Sequence, residues 1–311
     1  MKVLITGAAG FIGSHLTEAL LKQDKGHQVI GVDNLSTGSD SNFPESDDAR
    51  LVIGDIRSAK LMAGLSSMGR RGGWDVIFHC AASYRDRADW ENDATTNVLG
   101  TINVIREAVR RSSKLVYFQT SLCYGPAPAS PVTLDAPLNP RGSYAVSKTA
   151  GETYIRDSEL DWVSLRLANI YGPRNLSGPA PTFFQRITAG LPCTVVDSRR
   201  DFVYIDDLVS AALKAADKGR GIYHVASGSD ISIAELYDTV ATAMGIDAPR
   251  PTSVPRGPDD VATILLDPTE TYQELGWKAK TPIAVGIQNA VRWYQQHGVT
   301  ETYTHLAVNK E

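Results

Sequence analysis

The stretch KVLITGAAGFIG restricts the fold more than any other part of the sequence, because an apolar run meets three regularly spaced glycines. The apolar run predicts a buried strand over residues 2–6, and the following apolar spacing predicts a helix over residues 11–21. In such a turn Gly7 permits a tight bend, Gly10 lets the backbone approach a pyrophosphate, and Gly13 lets the helix pack on the strand. Phosphates would then meet the N-terminus of the helix. The stretch therefore predicts a strand–turn–helix unit that binds a dinucleotide, with a purely structural turn as the alternative.

The first half of the chain continues with alternating strand-like and helix-like segments. Continuous β-branched runs predict strands that are covered on both faces, and the intervening helices predict a parallel sheet. Further strands are predicted at residues 28–32, 50–54, 75–80, 114–119 and 162–168, with helices through 97–111 and 143–158. We therefore predict an α/β fold with a Rossmann-type doubly wound parallel sheet.

The end of the second strand predicts which dinucleotide binds. Asp33 lies twenty residues after Gly13, where a carboxylate accepts hydrogen bonds from both ribose hydroxyls and repels a 2′-phosphate. Asn34, and not an arginine, follows it, so NAD is favoured over NADP. After the third strand, Asp55 and Ile56 are candidates for contact with adenine. The alternative for Asp33 is an ordinary aspartate in a turn.

The second half of the chain has a different pattern. After about residue 172, proline and glycine become dense in YGPRNLSGPAPT, and the later elements are short and mixed. We predict a smaller C-terminal α/β substrate lobe, with helices near 206–216, 232–243 and 283–297. Residues 1–174 are interpreted as mainly the NAD-binding domain and residues 175–311 as mainly the substrate lobe, and the chain is expected to cross between the two more than once.

The composition excludes several classes of function. The net charge is -4, and there is no basic patch that indicates a nucleic-acid partner. The three cysteines form no CxxC pair, so neither a zinc site nor a disulfide framework is expected. The N-terminal apolar run is too short to span a membrane and lacks the layout of a signal peptide. We expect a soluble, cytoplasmic protein without a metal, a membrane or a nucleic acid as partner.

A YxxxK pattern follows the fifth predicted strand. Tyr144 and Lys148 lie four residues apart, so a helix places both side chains on one face, although a surface pair is the alternative. A free tyrosine has a pKa of about 10, so a base near neutrality needs a shift of roughly 3 units, or about 4 kcal/mol. The lysine ammonium and a positively charged nicotinamide ring are able to supply this. Thr120 and Ser121, at the tip of the fifth strand, are placed to hydrogen-bond the same substrate oxygen.

Further motifs run through nearly the whole chain in one order. They are TGAAGFIGSHL, VDNLSTG, GDIR, FHCAA, NVLGTINV, LRLANIYGPR, RDFVYIDDL and LGWKAK. With the YxxxK pattern they make the sequence resemble the extended short-chain dehydrogenase/reductases, and among these the nucleotide-sugar epimerases typified by UDP-glucose 4-epimerase. DWENDATTN, FQTSLCYG and SYAVSKTAGE are similar to a subset encoded with bacterial O-antigen and surface-polysaccharide genes.

The resemblance implies roles for individual residues. It implies a retained NAD, with Tyr144 as the base that deprotonates a sugar hydroxyl and Lys148 as the residue that holds the nicotinamide ribose. The hydroxyl partner is implied at Thr120, four residues before the tyrosine of YG, with Ser121 as the alternative. Cofactor contacts are implied at Gly7, Gly10, Phe11, Ile12, Gly13, Asp33, Asn34, Ser36, Gly38, Asp55, Ile56, Ala81, Ala82, Asn97, Tyr144 and Lys148.

The same resemblance indicates which reactions the chain lacks. Related 4,6-dehydratases carry TDEVYG and use its Asp and Glu as an acid/base pair, where this chain has Ser121 and Leu122. Related decarboxylases carry a Glu at the second position. Related 3,5-epimerases carry a cysteine two residues before the tyrosine, whereas Cys123 directly precedes Tyr124 and is expected to be a buried thiol. Oxidation and re-reduction at one carbon, C4, therefore remain.

The predicted substrate is a nucleotide sugar, with UDP as the expected carrier. Asn169 is implied as a contact of the sugar or its diphosphate, Arg200 as a contact of the phosphates, and Arg256 as a second phosphate contact one position away from the usual spacing. Tyr84, Arg85 and Arg87 follow the fourth strand, where a cation, either Arg85 or Arg87, is able to bind a sugar carboxylate. A charged surface loop, paired with nearby aspartates, is the alternative. A hexose, an N-acetylhexosamine and a uronic acid all remain open.

This interpretation leaves two alternative functions open and implies an oligomeric state. The rivals are a dehydratase or reductase on the same scaffold, and a non-catalytic NAD-binding regulator. Against the regulator stands the intact set of Tyr144, Lys148 and Thr120. The resemblance also implies a homodimer, in which the helices of about 88–111 and 143–158 form a four-helix bundle with their symmetry mates.

Overall fold

The computed structural model describes residues 1–23, 25–65, 73–127, 129–257 and 261–303. Over these ranges the strands are β1 (Lys2–Thr6), β2 (Gln28–Asp33), β3 (Ala49–Ile53), β4 (Val76–His79), β5 (Lys114–Thr120), β6 (Trp162–Leu167), β7 (Asn169–Tyr171), β8 (Thr194–Val196), β9 (Arg199–Tyr204), β10 (Gly221–Val225), β11 (Asp230–Ser232), β12 (Thr252–Val254) and β13 (Thr263–Ile264).

The helices over the same ranges are α1 (Phe11–Leu21), α2 (Ala59–Leu65), α3 (Trp90–Ala94), α4 (Thr101–Arg111), α5 (Ser143–Arg156), α6 (Pro179–Thr188), α7 (Ile205–Lys218), α8 (Ile233–Met244), α9 (Thr269–Leu275) and α10 (Ile283–His297). A π-helical segment, Thr95–Gly100, joins α3 to α4, and a 3₁₀ turn, Ser121–Tyr124, follows β5. None of the described helices has the length and apolar character needed to cross a membrane.

The central feature is a seven-stranded parallel sheet with the order β10-β6-β5-β4-β1-β2-β3. The order reverses between β1 and β4, where Ile5 lies beside Phe78 in the register. At such a reversal the connections leave the sheet in opposite directions, so a crevice opens at the carboxyl ends of the two strands. The predicted doubly wound parallel sheet is thereby confirmed.

The sheet is covered on both faces, as its continuous apolar runs predict. Phe118 and Val116 on β5 pack into the core that includes α1 and α7, whereas Leu115 and Tyr117 pack into the core that includes α2, α4 and α5. All four side chains are buried, because helices cover alternate residues of the strand from opposite sides.

The second lobe is built around β9, which pairs with β7, β11 and β13, and is completed by the β8–β12 pair and helices α6, α8 and α10. β10 was not predicted from the sequence. It follows this lobe's β9 yet pairs with β6 in the main sheet. The chain therefore returns to the main sheet after residue 205 before it completes the lobe. The division near residue 174 stays a prediction.

Candidate active site

A cleft with a volume of about 1050 Å³ opens at the carboxyl ends of the sheet strands and extends along the second lobe. It brings together most of the residues that the sequence analysis singled out. Those that line it are Gly7, Gly10, Phe11, Ile12, Asp33, Asn34, Ser36, Asp55, Ile56, Ala81, Ala82, Tyr84, Arg85, Thr120, Tyr144, Lys148 and Asn169.

The glycine turn forms the floor of the cleft. Gly7 has a φ of +67°, and a Cβ there would lie 2.7 Å from the backbone nitrogen of Ala81, so a side chain does not fit. At Gly13 a Cβ would lie 2.7 Å from Cα of Ala8, so helix α1 is able to pack against the turn. Gly10 precedes α1 without a side-chain cap. Helix α1 therefore begins at the cleft, where Gly10, Phe11 and Ile12 line it, and an uncapped helix N-terminus suits a pyrophosphate.

Asp33 is held in place by backbone donors on both of its oxygens. Its Oδ2 accepts from the N–H of Ala9 at 2.9 Å, and its Oδ1 accepts from the N–H of Leu35 at 2.8 Å. Burial raises the pKa of Asp33, and these hydrogen bonds oppose that rise. Asp33 also lines the cleft, and its role as an acceptor for ribose hydroxyls stays a prediction.

The loop after β2 packs against the glycine turn. The carbonyl of Ala9 accepts from the N–H of Ser39 at 3.1 Å and from Nδ2 of Asn42 at 3.0 Å. A Cβ on Gly38 would lie 2.8 Å from the same carbonyl group, so only glycine fits there. Gly38 thus supports the cofactor cleft from behind without lining it.

At the far end of the cleft, Asn34 and Arg57 converge on one carboxylate. Nδ2 of Asn34 donates to Oδ2 of Asp55 at 3.0 Å, and Nη2 of Arg57 lies 2.7 Å from the same oxygen. Ile56 lies beside them and is buried. Asp55 and Ile56 are therefore held at this end of the cleft, and their contact with adenine stays a prediction. Taken together, the uncapped helix start, the glycines and Asp33 fit NAD.

Tyr144 and Lys148 project from the first turns of α5 into the cleft. The Tyr144 ring lies edge-on to the ring of Tyr84, with the centroids 6.2 Å apart. Burial raises the pKa of Tyr144, with smaller contributions from Tyr84 and Asp93. Burial also lowers the pKa of Lys148 from 10.5 to about 7. The side chains of the protein therefore keep Tyr144 protonated near neutrality, and a tyrosinate needs an added positive charge such as an oxidised nicotinamide.

The two hydroxyl candidates after β5 differ in position. Thr120 lines the cleft, and its Oγ1 accepts from the N–H of Leu122 at 3.2 Å as the cap of the 3₁₀ turn. Ser121 is buried and lies off the cleft. Cys123 is fully buried, as predicted, and burial raises the pKa of its thiol to about 12. The structure therefore favours Thr120 over Ser121 and leaves Cys123 without access to a ligand.

Asn97 lies behind the cleft and does not line it, in contrast to the expectation of a direct cofactor contact. Its Oδ1 accepts from the N–H of Ser83 at 2.8 Å, and its Nδ2 donates to the carbonyl of Ser83 and to Oγ of Ser147. The amide is therefore occupied in joining the loop after β4 to helix α5. A direct contact between Asn97 and a cofactor stays a prediction.

The two predicted phosphate arginines also lie off the cleft lining. Arg200 is buried on β9, and its Nη1 donates to the carbonyl of Arg199 at 2.7 Å. Arg256 is exposed after β12. Asn169, by contrast, lines the cleft, and its Nδ2 donates to the carbonyl of Asp201 at 3.1 Å. A direct phosphate contact by either arginine stays a prediction.

Arg85 connects the loop after β4 to the C-terminal end of the described chain. Its Nη2 lies 2.5 Å from Oε1 of Glu301, and its guanidinium lies 4.6 Å from the centroid of the Tyr303 ring. The alternative partners expected from the sequence were nearby aspartates. Tyr303 in turn pairs with the backbone of Leu176 and Gly178. A partner 216 residues away leaves no local signal, so sequence reasoning missed Glu301 and Tyr303.

Arg174 is a further cleft residue that the sequence analysis did not select, although it lies in the quoted LANIYGPR motif. It has a φ of +67°, which is uncommon for a residue with a side chain. Its Nη1 donates to Oγ of Ser14 at 3.2 Å, and its Nη2 forms an ion pair with Glu18. Arg174 therefore ties the start of the second lobe to helix α1.

Within the described ranges there is no group of three or more His, Cys, Asp or Glu side chains arranged to hold a metal ion.

Comparison with known proteins gives consistent similarities. Residues 3–227 match the NAD dependent epimerase/dehydratase family. The chain is 35% identical to a UDP-glucose 4-epimerase of Mycolicibacterium smegmatis, over 95% of this chain and 99% of that relative. The crystal structure of the Bordetella bronchiseptica enzyme WbmH with NAD+ is 43% identical, with a TM-score of 0.90 over 96% of this chain and 99% of that one. The structure of WbmG from the same organism, with NAD and UDP, is 38% identical, with a TM-score of 0.88 over 98% and 97% of the two chains.

Proposed function

We propose that the chain, which belongs to the NAD dependent epimerase/dehydratase family, inverts C4 of a UDP-linked sugar. It is an enzyme of the NAD-dependent UDP-sugar 4-epimerase group. Its cofactor is NAD. One observation carries the proposal: Tyr144, Lys148 and Thr120 line the same cleft as the glycine turn and Asp33. This arrangement places an acid/base pair and a hydroxyl beside a dinucleotide site.

The chemistry divides between the cofactor and three side chains. The glycine turn and Asp33 would hold NAD, which would supply the hydride acceptor for C4 and, after the sugar turns over, the hydride donor to its opposite face. Tyr144 accepts the proton of the C4 hydroxyl as the ketone forms, and donates it back when the ketone is reduced. Lys148, one turn along α5, supplies positive charge that stabilises the tyrosinate. Thr120 donates a hydrogen bond to the same sugar oxygen. The cycle consumes neither a proton nor a hydride.

The two residues after Thr120 differ from those of the related dehydratases, and this difference argues against a reaction that eliminates water. Ser121 and Leu122 occupy the positions where the related dehydratases carry a carboxylate pair, and neither side chain is able to protonate a leaving hydroxyl at neutral pH. Cys123 is buried, so it does not provide a substitute acid. The site therefore has an acid/base for one oxygen only, which suits epimerisation and not elimination.

A uridine nucleotide is supported by the relative WbmG, whose crystal structure contains UDP together with NAD. For the sugar we propose a hexose, an N-acetylhexosamine or a uronic acid. Substrate contacts are proposed for Tyr84, Thr120 and Asn169, which line the cleft. Arg200 and Arg256 remain hypotheses for phosphate contacts. The hypothesis that Arg85 binds a sugar carboxylate competes with its ion pair to Glu301.

The test uses three substrates, UDP-glucose, UDP-N-acetylglucosamine and UDP-glucuronate, each incubated with the purified protein in D2O, with and without added NAD. Proton NMR of the sugar is expected to show the C4 epimer of at least one substrate with no deuterium at C4, because the hydrogen never exchanges with solvent. Tyr144→Phe is the inactive control. Deuterium at C4, a released 4-keto sugar, or no conversion of any of the three would contradict the proposal.

A further inference from the structure

The ammonium group of Lys148 lies over an aromatic ring. Its Nζ is 3.9 Å from the centroid of the Tyr117 ring, while the side chain is only 2% exposed. Within the described ranges the ammonium has no hydrogen bond and no salt bridge to the protein. A buried ammonium without a partner is costly, so the ring face is the main protein group that compensates its charge.

The Tyr117 ring is held by its own hydrogen bond. Its hydroxyl donates to the backbone carbonyl of Lys148 at 2.9 Å, and Nε2 of Gln119 donates to the same carbonyl at 3.2 Å. A Cβ on Gly151 would lie 2.8 Å from the Tyr117 hydroxyl, so the glycine on α5 provides the space for this contact. The ring and the helix backbone of α5 are thus fixed relative to each other.

The ionisable groups around Lys148 come from three elements, and none offers it a free anion. From the end of β4, burial raises the pKa of the Cys80 thiol and lowers that of His79, so both are neutral. From β5, burial raises the pKa of Tyr117, which stays a phenol. From α5, Tyr144 is also protonated, as described above.

The remaining carboxylate near Lys148 is Glu152, one turn further along α5. Its Oε2 lies 2.8 Å from Nη2 of Arg166, and its Oε1 accepts from Oγ of Ser164 at 2.5 Å. The charge of Glu152 is therefore balanced by Arg166, and its effect on Lys148 is weakened. This leaves the π-face of Tyr117 as the electron-rich surface in contact with the ammonium.

We propose that Tyr117 is a positioning residue of the reaction, whose ring face keeps Lys148 charged and directed toward the cleft. The proposal rests on the proposed function, because it is the charged Lys148 that serves Tyr144. The proposal adds Tyr117, on β5, to the YxxxK pair on α5. Tyr117 contacts neither substrate nor cofactor and acts through Lys148.

The sign of the pH effect follows from the two coupled groups. Loss of the ring face disfavours the ammonium, so the pKa of Lys148 falls below its value of about 7. Loss of the lysine charge also disfavours the tyrosinate, so the pKa of Tyr144 rises. The active pair requires charged lysine and ionised tyrosine. The pH range of activity is therefore expected to narrow from both sides.

The first experiment measures Lys148 directly, without turnover. The pKa of its Nζ is followed by ¹⁵N NMR in lysine-labelled protein, with the signal assigned by its absence in Lys148→Met. Tyr117→Leu is expected to lower this pKa by roughly one unit, whereas Tyr117→Phe keeps the ring and is expected to leave it in place. Phe78→Leu, a buried aromatic that faces the other side of the sheet, is the matched control for a cavity.

If Tyr117→Leu does not fold, trifluorophenylalanine at position 117 replaces it, since fluorine weakens the π-face at nearly constant shape. A pKa of Lys148 that is unchanged by Tyr117→Leu, or by the fluorinated ring where Tyr117→Leu does not fold, overturns the inference. A Lys148 pKa that Tyr117→Phe lowers as much as Tyr117→Leu does also overturns the inference.

The second experiment measures the pH profile of kcat on the substrate that the enzyme epimerises. A lowered Lys148 pKa with an unchanged profile overturns the positioning role. A lowered pKa in a protein that converts no UDP-sugar leaves the contact established and removes the proposed function instead.

Discussion

Glu152 and Arg166 form a buried ion pair that fastens the helix carrying Tyr144 and Lys148 to strand β6. Nη2 of Arg166 lies 2.8 Å from Oε2 of Glu152, and Nε of Arg166 donates to Oε1 at 3.2 Å. Both side chains are almost fully buried. Such a two-point contact orients the helix as well as attaching it.

The pair continues into a network that reaches the turn after β5. Nη1 of Arg166 donates to the hydroxyl of Tyr124 at 2.7 Å, so that hydroxyl donates onward to Nε2 of His224 at 2.6 Å. Burial lowers the pKa of His224 to about 4, so the ring is neutral, and its Nδ1 donates to the carbonyl of Asp267. Helix α5, the turn that follows Thr120 and strand β10 are therefore joined by one chain of hydrogen bonds.

We expect Glu152→Gln to lower the free energy of unfolding by about 3–5 kcal/mol, because it leaves the Arg166 charge buried without its partner. The measurement is urea denaturation followed by circular dichroism. The double variant Glu152→Met with Arg166→Met is the control, because removal of both charges is expected to cost less than removal of one. A single variant as stable as the wild type would show that the ion pair contributes nothing to stability.

Tyr144→Phe is expected to lose nearly all turnover and to retain NAD binding. The phenol is the proposed proton acceptor, whereas most of the residues that fit the cofactor lie on the glycine turn and beyond it. Turnover is measured on the best UDP-sugar, and NAD binding by isothermal titration. Thr153→Val, a change on the exposed part of the same helix, is the control. Near-normal rates in Tyr144→Phe would refute the mechanism.

Asp33→Asn is expected to weaken NAD binding about tenfold and to narrow the preference for NAD over NADP. Hydrogen bonds to a charged acceptor contribute about 1.5–3 kcal/mol, and the amide removes the charge that repels a 2′-phosphate. Burial raises the pKa of Asp33, so NAD affinity of the wild type is also expected to fall on acidification, at a higher pH than for an exposed aspartate. Titration calorimetry with both dinucleotides measures these effects, and an unchanged preference would count against Asp33 as the ribose ligand.

Arg85→Ala tests the hypothesis of an acidic sugar. A guanidinium that binds a carboxylate in a closed pocket contributes about 2–3 kcal/mol, which is roughly thirtyfold in kcat/KM. Glu301 already neutralises Arg85, and the Arg85 side chain is 47% exposed. We therefore expect the ratio of kcat/KM on UDP-glucuronate and UDP-glucose to change less than about threefold. A thirtyfold loss of kcat/KM confined to UDP-glucuronate would instead indicate a uronic acid as the substrate. Glu301→Gln, which removes the charged partner of Arg85, is the matched variant.

We propose a homodimer formed through the segment from α3 to α4 and through α5. Five of the eleven large apolar side chains exposed in the described residues lie there, namely Trp90, Leu99, Val109, Val146 and Tyr154. Light scattering of the wild type at micromolar concentration is expected to give twice the mass of the 33.6 kDa chain. Tyr154→Arg is expected to give a monomer, while Val285→Arg on α10 is the control. A monomeric wild type would exclude the dimer.

Most of the main sheet could be predicted because its signals are local. The predicted strand at residues 114–119 is Lys114–Thr120 in the structure, and the predicted helix at 283–297 is Ile283–His297. A run of apolar residues, a glycine turn or a helical spacing is visible within ten residues. β10 was missed because its five residues lie among short, mixed elements and become a strand by pairing with β6.

By itself the sequence determined where the candidate site residues lie in the order of elements. Gly7, Asp33 and Thr120 each directly follow a predicted strand, and Tyr144 lies in the first turn of a predicted helix. The carboxyl ends of parallel strands lie along the same edge, so their meeting in one cleft follows from the order of elements. Only the tertiary structure decided which side chains hold these groups in place. Tyr117 lies 31 residues from Lys148, and Arg85 lies 216 residues from Glu301. Such pairs depend on how whole helices and strands pack, and packing leaves no periodic trace in the sequence around either partner.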